Sequence, residues 1–502
     1  MGNPIHLVDI AMGMDGAERL QTIGVNAATV ATDVVETARS GFHRAHPSRS
    51  ARRAFHFTQL LTIAVLFYTA IWAARVAPTL TFTVTHIAVI AIFSAAIFIR
   101  FVASASLAPL LSRLASPARY PTYTILCPLY REANVVPDLM ASLACIDYPA
   151  DALDVKLLVE GDDPETIAAA FAAVGDAPHI EVVIIPACAP RTKPKALNVG
   201  LSRARGEFVV IYDAEDRPHA QQLNAALAAF EDGGADLACV QAPLVIDNAD
   251  ASWISRQFAA EYAIQFREML PLLAYFNLPL PLGGTSNHFR TDVLRQCGGW
   301  DAYNVTEDAD LGYRLARDGY RAGVIGPPTY EEAPITFNAW LGQRTRWIKG
   351  HMQTWLVLMR NPFRTVHEMG FKAFASMQLV FATGLLAAFA HGPLAFILLT
   401  ALLTPYDLLS PADIVLAVSG YCVAIFASLT ACALSNSLSH ARAALTMPLY
   451  WPLASIAAYR ALFELIFRPH YWSKTKHGIS ARTPQDVSCT VPPARDTKVR
   501  AA

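Results

Sequence analysis

The 502-residue chain is 54% hydrophobic and only 16% charged, too apolar for an ordinary soluble enzyme and long enough for more than one folding unit. Its formal net charge of −1 excludes a nucleic-acid binder, because a phosphate-tracking surface shows as a basic excess. The eight cysteines are scattered, without a C-x-x-C pair or zinc spacing, and read as reduced packing residues.

Residues 1–54 form an N-terminal segment with a short helix expected from Val25 to Arg39. It lacks the basic start and apolar run of a cleavable signal. Residues 55–110 hold two apolar runs, Phe57 to Val76 and Thr81 to Ile99, each long enough to cross ~30 Å of hydrocarbon. Arg39, Arg44, Arg49, Arg52 and Arg53 precede this hairpin and Arg100, Arg113 and Arg119 follow it, so both flanks are expected in the cytoplasm.

From residue 120 to 340 the pattern changes to apolar strands alternating with helical segments. Tyr123 to Cys127, Val155 to Val159, Ile180 to Ile185 and Phe208 to Tyr212 predict a parallel α/β sheet with a ligand crevice at the carboxyl ends of its strands. Residues 340–362, with Trp340, Trp347 and Trp355, predict an amphipathic helix at the bilayer surface. Residues 372–468 hold further apolar runs. The first, Ala373 to Leu403, is either one helix, which sends the basic tail outside, or two short helices around Gly392-Pro393, which returns it. The positive charge of the 469–502 tail favours two helices and a cytoplasmic tail.

Acids cluster where strands end. Glu160-Gly-Asp162-Asp163 follows one strand and Asp213-Ala-Glu215-Asp216 another, so both can reach one crevice. Each cluster alone could simply cap the next helix. Together they suit a diphosphate held through a divalent cation, and Arg191-Thr-Lys193-Pro-Lys195 between them supplies cations for it. Thr306-Glu307-Asp308 opens a helix and offers a carboxylate to take a proton from an acceptor hydroxyl. Spacings of three and four place Gln343, Arg346 and Trp347 on one helical face, suited either to anchoring at a membrane or to a diphosphate and a stacked sugar. Gly283-Gly284 reads as a plain turn or as a close approach to a sugar ring, and His288 as a structural histidine.

These four ordered motifs resemble those of the family-2 glycosyltransferases, especially the membrane β-glycan synthases related to cellulose, glucan and hyaluronan synthases, over residues 120 to 360. The resemblance implies an α/β glycosyltransferase-A (Rossmann-like) cytoplasmic domain embedded between α-helical transmembrane segments of a multi-pass inner (plasma) membrane protein. It implies that Asp162 and Asp163 meet the nucleotide, with Lys195 and Asp213 at the diphosphate. Asp213 and Glu215 would hold Mg2+ or Mn2+, Asp308 beside Glu307 would be the general base, and Gln343, Arg346 and Trp347 would line donor and acceptor. Glu215 stands where that family's motif has a second aspartate, so Asp216 is the competing metal ligand.

The activity so implied is inverting transfer from a UDP-sugar, UDP-glucose for preference, to a growing β-glycan with export across the membrane. The alternatives are a lipid-linked acceptor, or a catalytically silent receptor or scaffold with the same fold. For an export channel, Tyr450, Trp451, Tyr459, Arg460 and Glu464 are the candidate lining residues.

Overall fold

The computed structural model describes residues 27–106, 113–117, 119–175, 177–404, 409–435, 438–472, 474 and 478. Among the described residues there are eleven strands: β1 (Ala27–Thr29), β2 (Tyr123–Leu129), β3 (Leu153–Glu160), β4 (Ile180–Ile185), β5 (Phe208–Ile211), β6 (Arg217–Pro218), β7 (Leu237–Gln241), β8 (Leu244–Ile246), β9 (Asn287–Arg290), β10 (Arg321–Val324) and β11 (Thr329–Glu331). Eight make one sheet in the order β1-β4-β3-β2-β5-β9-β7-β10, and β6-β11-β8 make a small second sheet. Every residue of β3 and β4 is buried. Continuous apolar runs of this kind are what a sheet covered on both faces demands.

The sheet is not wholly parallel, as the strand pattern had suggested. β9 runs antiparallel to both β5 and β7, inserted between them. Its tetrapeptide, Asn287 to Arg290, is too short and polar to carry a strand signal. The N-terminal segment also differs from expectation. Residues 27–29 pair with β4, and the helix spans Thr32–Ala45, which packs against the Lys193–Arg203 helix through Asn198, whose amide donates to the Ala38 carbonyl at 3.0 Å. Cys145 is disulfide-bonded rather than reduced, whereas Cys127, Cys188, Cys239, Cys297 and Cys422 are free. Pairing depends on spatial approach, which sequence spacing does not reveal.

Among the described residues four helices are long and apolar enough to cross a membrane: Phe57–Val76, Pro78–Ser106, Phe371–Leu403 and Pro411–Leu434. The third corrects the two-helix reading, because it passes straight through Pro393. Proline cannot bond back to the carbonyl four residues earlier. Ser455 offsets the break from the Met447–Phe467 helix: its hydroxyl donates to the Ala388 carbonyl at 2.7 Å and accepts from the Gly392 N–H at 2.7 Å. Tyr459 places its hydroxyl 3.5 Å from the freed Phe389 carbonyl. Such side chains are how membrane helices keep an internal proline. We expect Ser455→Ala to lower stability by about 1 kcal/mol, read as a lower thermal midpoint in detergent.

The Met447–Phe467 helix does not continue the series of spans. It runs beside the Phe337–Leu358 helix, joined near one end by Trp340 Nε1 donating to Tyr450 at 2.7 Å and near the other by Lys349 paired with Glu464 at 3.0 Å. The Phe337–Leu358 helix, expected at a bilayer surface over 340–362, has Lys349, Gly350 and Gln353 buried.

Candidate active site

β5 ends at Ile211, and the chain turns sharply through Asp213 to Asp216, closed by the Asp216 N–H on the Asp213 carbonyl at 3.1 Å. Asp216 points inward: its carboxylate accepts from the Asp213 N–H at 2.7 Å and from the Thr285 hydroxyl. Burial, followed by repulsion from Asp213 and Glu215, pushes its pKa well above the usual range. It is a turn-holding residue. Asp213 and Glu215 face outward and line a cavity of about 1350 Å³. Burial and then Asp213 raise the Glu215 carboxyl to about 7.

Opposite them, the Glu307–Arg317 helix brings Glu307 and Asp308 to the same cavity. Burial raises both, Glu307 to about 8 with repulsion from Asp308 as its second cause. Asp308 accepts from the Ala309 N–H at 2.7 Å, and a side chain at Gly284 would crowd its Oδ2 at 3.2 Å. Gly284 thus keeps space for that carboxylate. Gly350 does the same for the turn before it, since a Cβ there would overlap Thr306. We expect Gly350→Ala to displace the 306–308 turn and cut turnover severalfold, with a smaller loss of thermal stability.

The basic segment divides in a way its sequence does not announce. Thr192 is the N-cap of the Lys193–Arg203 helix, and one residue step along a helix turns a side chain by ~100°. Lys193 consequently enters the cavity, where its ammonium pairs with Asp213 and donates to the Gly284 carbonyl at 2.6 Å. Although burial opposes its charge, Asp213 and Glu307 hold it protonated above its usual value. Lys195, expected at the diphosphate, turns away. It is fully buried, paired with Glu160 at 2.8 Å and donating to the Cys188 carbonyl at 3.0 Å. Lys195→Met leaves the Glu160 charge buried without its partner, with an expected cost of about 3–5 kcal/mol in a denaturant or thermal titration.

The early aspartate pair is likewise displaced from the cavity wall. Asp163 caps the Pro164–Val174 helix, accepting from Thr166 N–H at 3.3 Å and from the Arg131 N–H, while exposed Asp162 pairs with Arg191 at 2.7 Å. Glu160 is the acid of that cluster that lines the cavity. His288 is a buried core residue between the Tyr123 hydroxyl at 2.8 Å and Gln222 at 3.2 Å, and burial lowers its pKa to about 3.

Gln343, Arg346 and Trp347 all line the cavity. Trp347 lies against Tyr262 and Phe258, with ring centroids 6.1 and 5.5 Å apart. Arg346 stacks over Trp472 at 4.4 Å. Gln343 Oε1, Arg346 Nε and Thr306 Oγ1 are buried without a hydrogen-bond partner among the described residues. Buried polar atoms are ordinarily satisfied, so three such atoms on one cavity mark a place where a polar ligand completes the bonding.

Sequence reasoning named Lys193 only as part of a basic segment and did not select Glu331, Trp472 or Lys474; all four line the cavity. Glu331 comes from the short central strand of the small second sheet, with no motif around it. Trp472 and Lys474 belong to the basic tail, and Lys474 pairs with Glu132 at 2.7 Å. Their only signal was an aromatic among lysines just after the last apolar run.

Asp213 and Glu215 also bear on a cation. Among the described residues no three His, Cys, Asp or Glu side chains converge into a ready-made cage. Two carboxylates at one strand end do fit a hard cation that takes its remaining ligands from phosphate and water. The mutual repulsion that raises Glu215 is the strain such a cation relieves.

A mixed α/β sheet with acids at two facing element ends and basic residues between them offers the charges that a diphosphate and a cation need. Residues 121–350 match the family described as glycosyltransferase like family 2. Among curated relatives, it is 26% identical over 287 residues to a beta-monoglucosyldiacylglycerol synthase of Synechocystis sp., covering 55% of this chain and 58% of that one. It is 24% identical over 249 residues to a probable glucomannan 4-beta-mannosyltransferase of Arabidopsis thaliana, covering 47% and 43%. The chain thus spans about half the length of the curated relatives it matches. A solved mannosyltransferase from Pyrobaculum calidifontis, in complex with GDP-Man and Mn2+, aligns with a TM-score of 0.47 at 19% identity, over 75% of this chain and 96% of that one.

Proposed function

We propose that the protein is an inverting hexosyltransferase of the membrane, taking its sugar from a nucleoside diphosphate donor on the cytoplasmic side, with UDP-glucose the favoured donor. The observation that carries this reading is the pairing of Asp213 and Glu215 with Glu307 and Asp308 on facing walls of one cavity, with Lys193 and Arg346 beside them.

Asp308 accepts the proton of an acceptor hydroxyl as its oxygen attacks the anomeric carbon. A new carbon–oxygen bond forms as the bond to the diphosphate breaks, so the anomeric centre inverts. Arg346 and Lys193 stand where the departing diphosphate gathers charge, and fixed cations in a partly dry site stabilise it without reorganising. Asp213 and Glu215 are the residues that would hold Mg2+ or Mn2+, whose chemistry there is to neutralise the leaving group. Burial and then repulsion from Asp308 raise the Glu307 carboxyl, so the two neighbouring acids hold a proton between them more readily than exposed carboxylates do. Trp347 offers a face for a sugar ring.

The test is release of UDP from UDP-glucose by the purified protein with Mg2+ or Mn2+, repeated with other nucleotide sugars. Cation-dependent release supports the reading. Silence across donors with candidate acceptors supplied, from protein shown to be folded, overturns it in favour of a receptor or scaffold.

A further inference from the structure

The cavity does not stop at the acids. It continues from them between the membrane helices Pro78–Ser106, Phe371–Leu403 and Pro411–Leu434, where Phe93, Ile97, Leu385, Leu394, Ile414 and Val418 form its wall. Its volume of about 1350 Å³ exceeds the ~300–1,000 Å³ of ordinary small-molecule pockets. A second ligand with an apolar body therefore has room beside the donor.

The residues that would line a glycan channel are engaged elsewhere. Tyr450 bonds Glu261 at 2.8 Å and Arg344 at 3.0 Å, Arg460 bonds Glu464 at 3.2 Å, and Tyr459 reaches the Phe389 carbonyl. Trp451 alone of that group lines the cavity, stacked with Tyr421 at 5.4 Å. At the far end His86 and Asp413 satisfy each other at 2.7 Å. A hydroxyl-rich polymer would meet mostly hydrocarbon on this path, whereas a lipid chain is matched to it.

Arg100 lies at the junction of the two lobes. It lines the cavity and makes no ion pair among the described residues, although the acids around it are occupied. Glu268 is held by Ser104, one turn beyond Arg100, at 2.6 Å and by Thr430 at 2.6 Å, while Glu261 is held by Arg344 and Tyr450. A cation at membrane depth ordinarily pairs or serves a ligand, and a guanidinium is suited to the oxygens of a phosphate.

Resting on the transferase reading above, we propose that the acceptor is an anionic lipid, its chains in the membrane lobe and its phosphate on Arg100. A headgroup hydroxyl beyond the phosphate then reaches Asp308. The hydroxyl gives its proton to Asp308 and takes the sugar, and the nucleoside diphosphate leaves.

The experiment uses the full chain in a phosphate-free polyoxyethylene detergent with labelled UDP-glucose and Mg2+ or Mn2+. Four acceptors are compared: phosphatidylglycerol, diacylglycerol, glycerol 3-phosphate and a cello-oligosaccharide. Label is expected in the solvent-extractable fraction, faster with phosphatidylglycerol than with diacylglycerol by on the order of tenfold, as one charge-assisted contact allows. Arg100→Gln should abolish that ratio and Arg100→Lys restore part of it. Equal use of the two lipids, label confined to glucan or to glycerol 3-phosphate, or an unchanged ratio in Arg100→Gln overturns the proposal. If no donor turns over in any arm the transferase reading fails, and native mass spectrometry of the delipidated protein still decides the lipid site. Retention of phosphatidylglycerol that is lost in Arg100→Gln, with its thermal midpoint preserved, supports the site; equal retention of both lipids by wild type and variant overturns it.

Discussion

Asp308→Asn is expected to lower donor turnover by about 10²–10⁴-fold, the usual worth of a positioned general base. The amide keeps the size of the side chain and can still meet the Ala309 N–H through its oxygen, so folding should survive while the proton acceptor is lost. The wild-type pH profile supplies a second readout. Burial raises the Asp308 carboxyl above its ordinary value of 3.8, so protonation disables the base at a higher pH than for an exposed aspartate. The ascending limb of kcat/KM should therefore lie above the common aspartate range, with activity rising as pH rises through it. A limb centred at or below 3.8, or an Asp308→Asn enzyme with near-normal turnover, would remove Asp308 from the base role.

Arg346→Ala should cost about 10²–10³-fold in kcat, comparable to the loss of one donor to a developing anion. A shift of the pH profile should accompany it. Arg346 lowers the pKa of both Glu307 and Asp308, so its removal raises both, and the ascending limb should move to higher pH. Arg346→Lys restores the charge and so most of the pH shift, but it lacks the planar fork that stacks on Trp472, and kcat should recover only in part. A lower kcat with no displacement of the limb would mean that Arg346 acts on the leaving group without touching the base.

The motif residues were legible because their chemistry is local: an acid cluster after an apolar strand, or a Gln, Arg and Trp three and four apart, fixes a face without help from distant chain. Asp213, Glu215, Glu307, Asp308, Gln343, Arg346 and Trp347 all reach the cavity. Residues whose role depends on which way one turn points were not so legible. Lys193 and Lys195 are chemically alike and two positions apart, and only the start of their helix at Thr192 decides that the first meets Asp213 and the second is buried on Glu160. Asp216 and Glu215 are adjacent acids, separated in role by the Thr285 hydroxyl from a strand connection some seventy residues later.

By itself the sequence determined what periodicity, composition and apolar length determine. These are the strands β2 to β5, the paired long apolar helices and the acids at strand ends, which together carry the resemblance to family-2 glycosyltransferases. Each of these follows from side chains within one element and its solvent. Tertiary structure decided the rest because the deciding partners are far apart in the chain. β9 slips antiparallel between β5 and β7. Ser455 keeps one helix whole across Pro393. The Met447–Phe467 helix lies along the Phe337–Leu358 helix through Tyr450 and Glu464, and Trp472 and Lys474 beyond it line the cavity. A buried polar group must find its partner wherever the fold brings one, and no local pattern names that partner in advance.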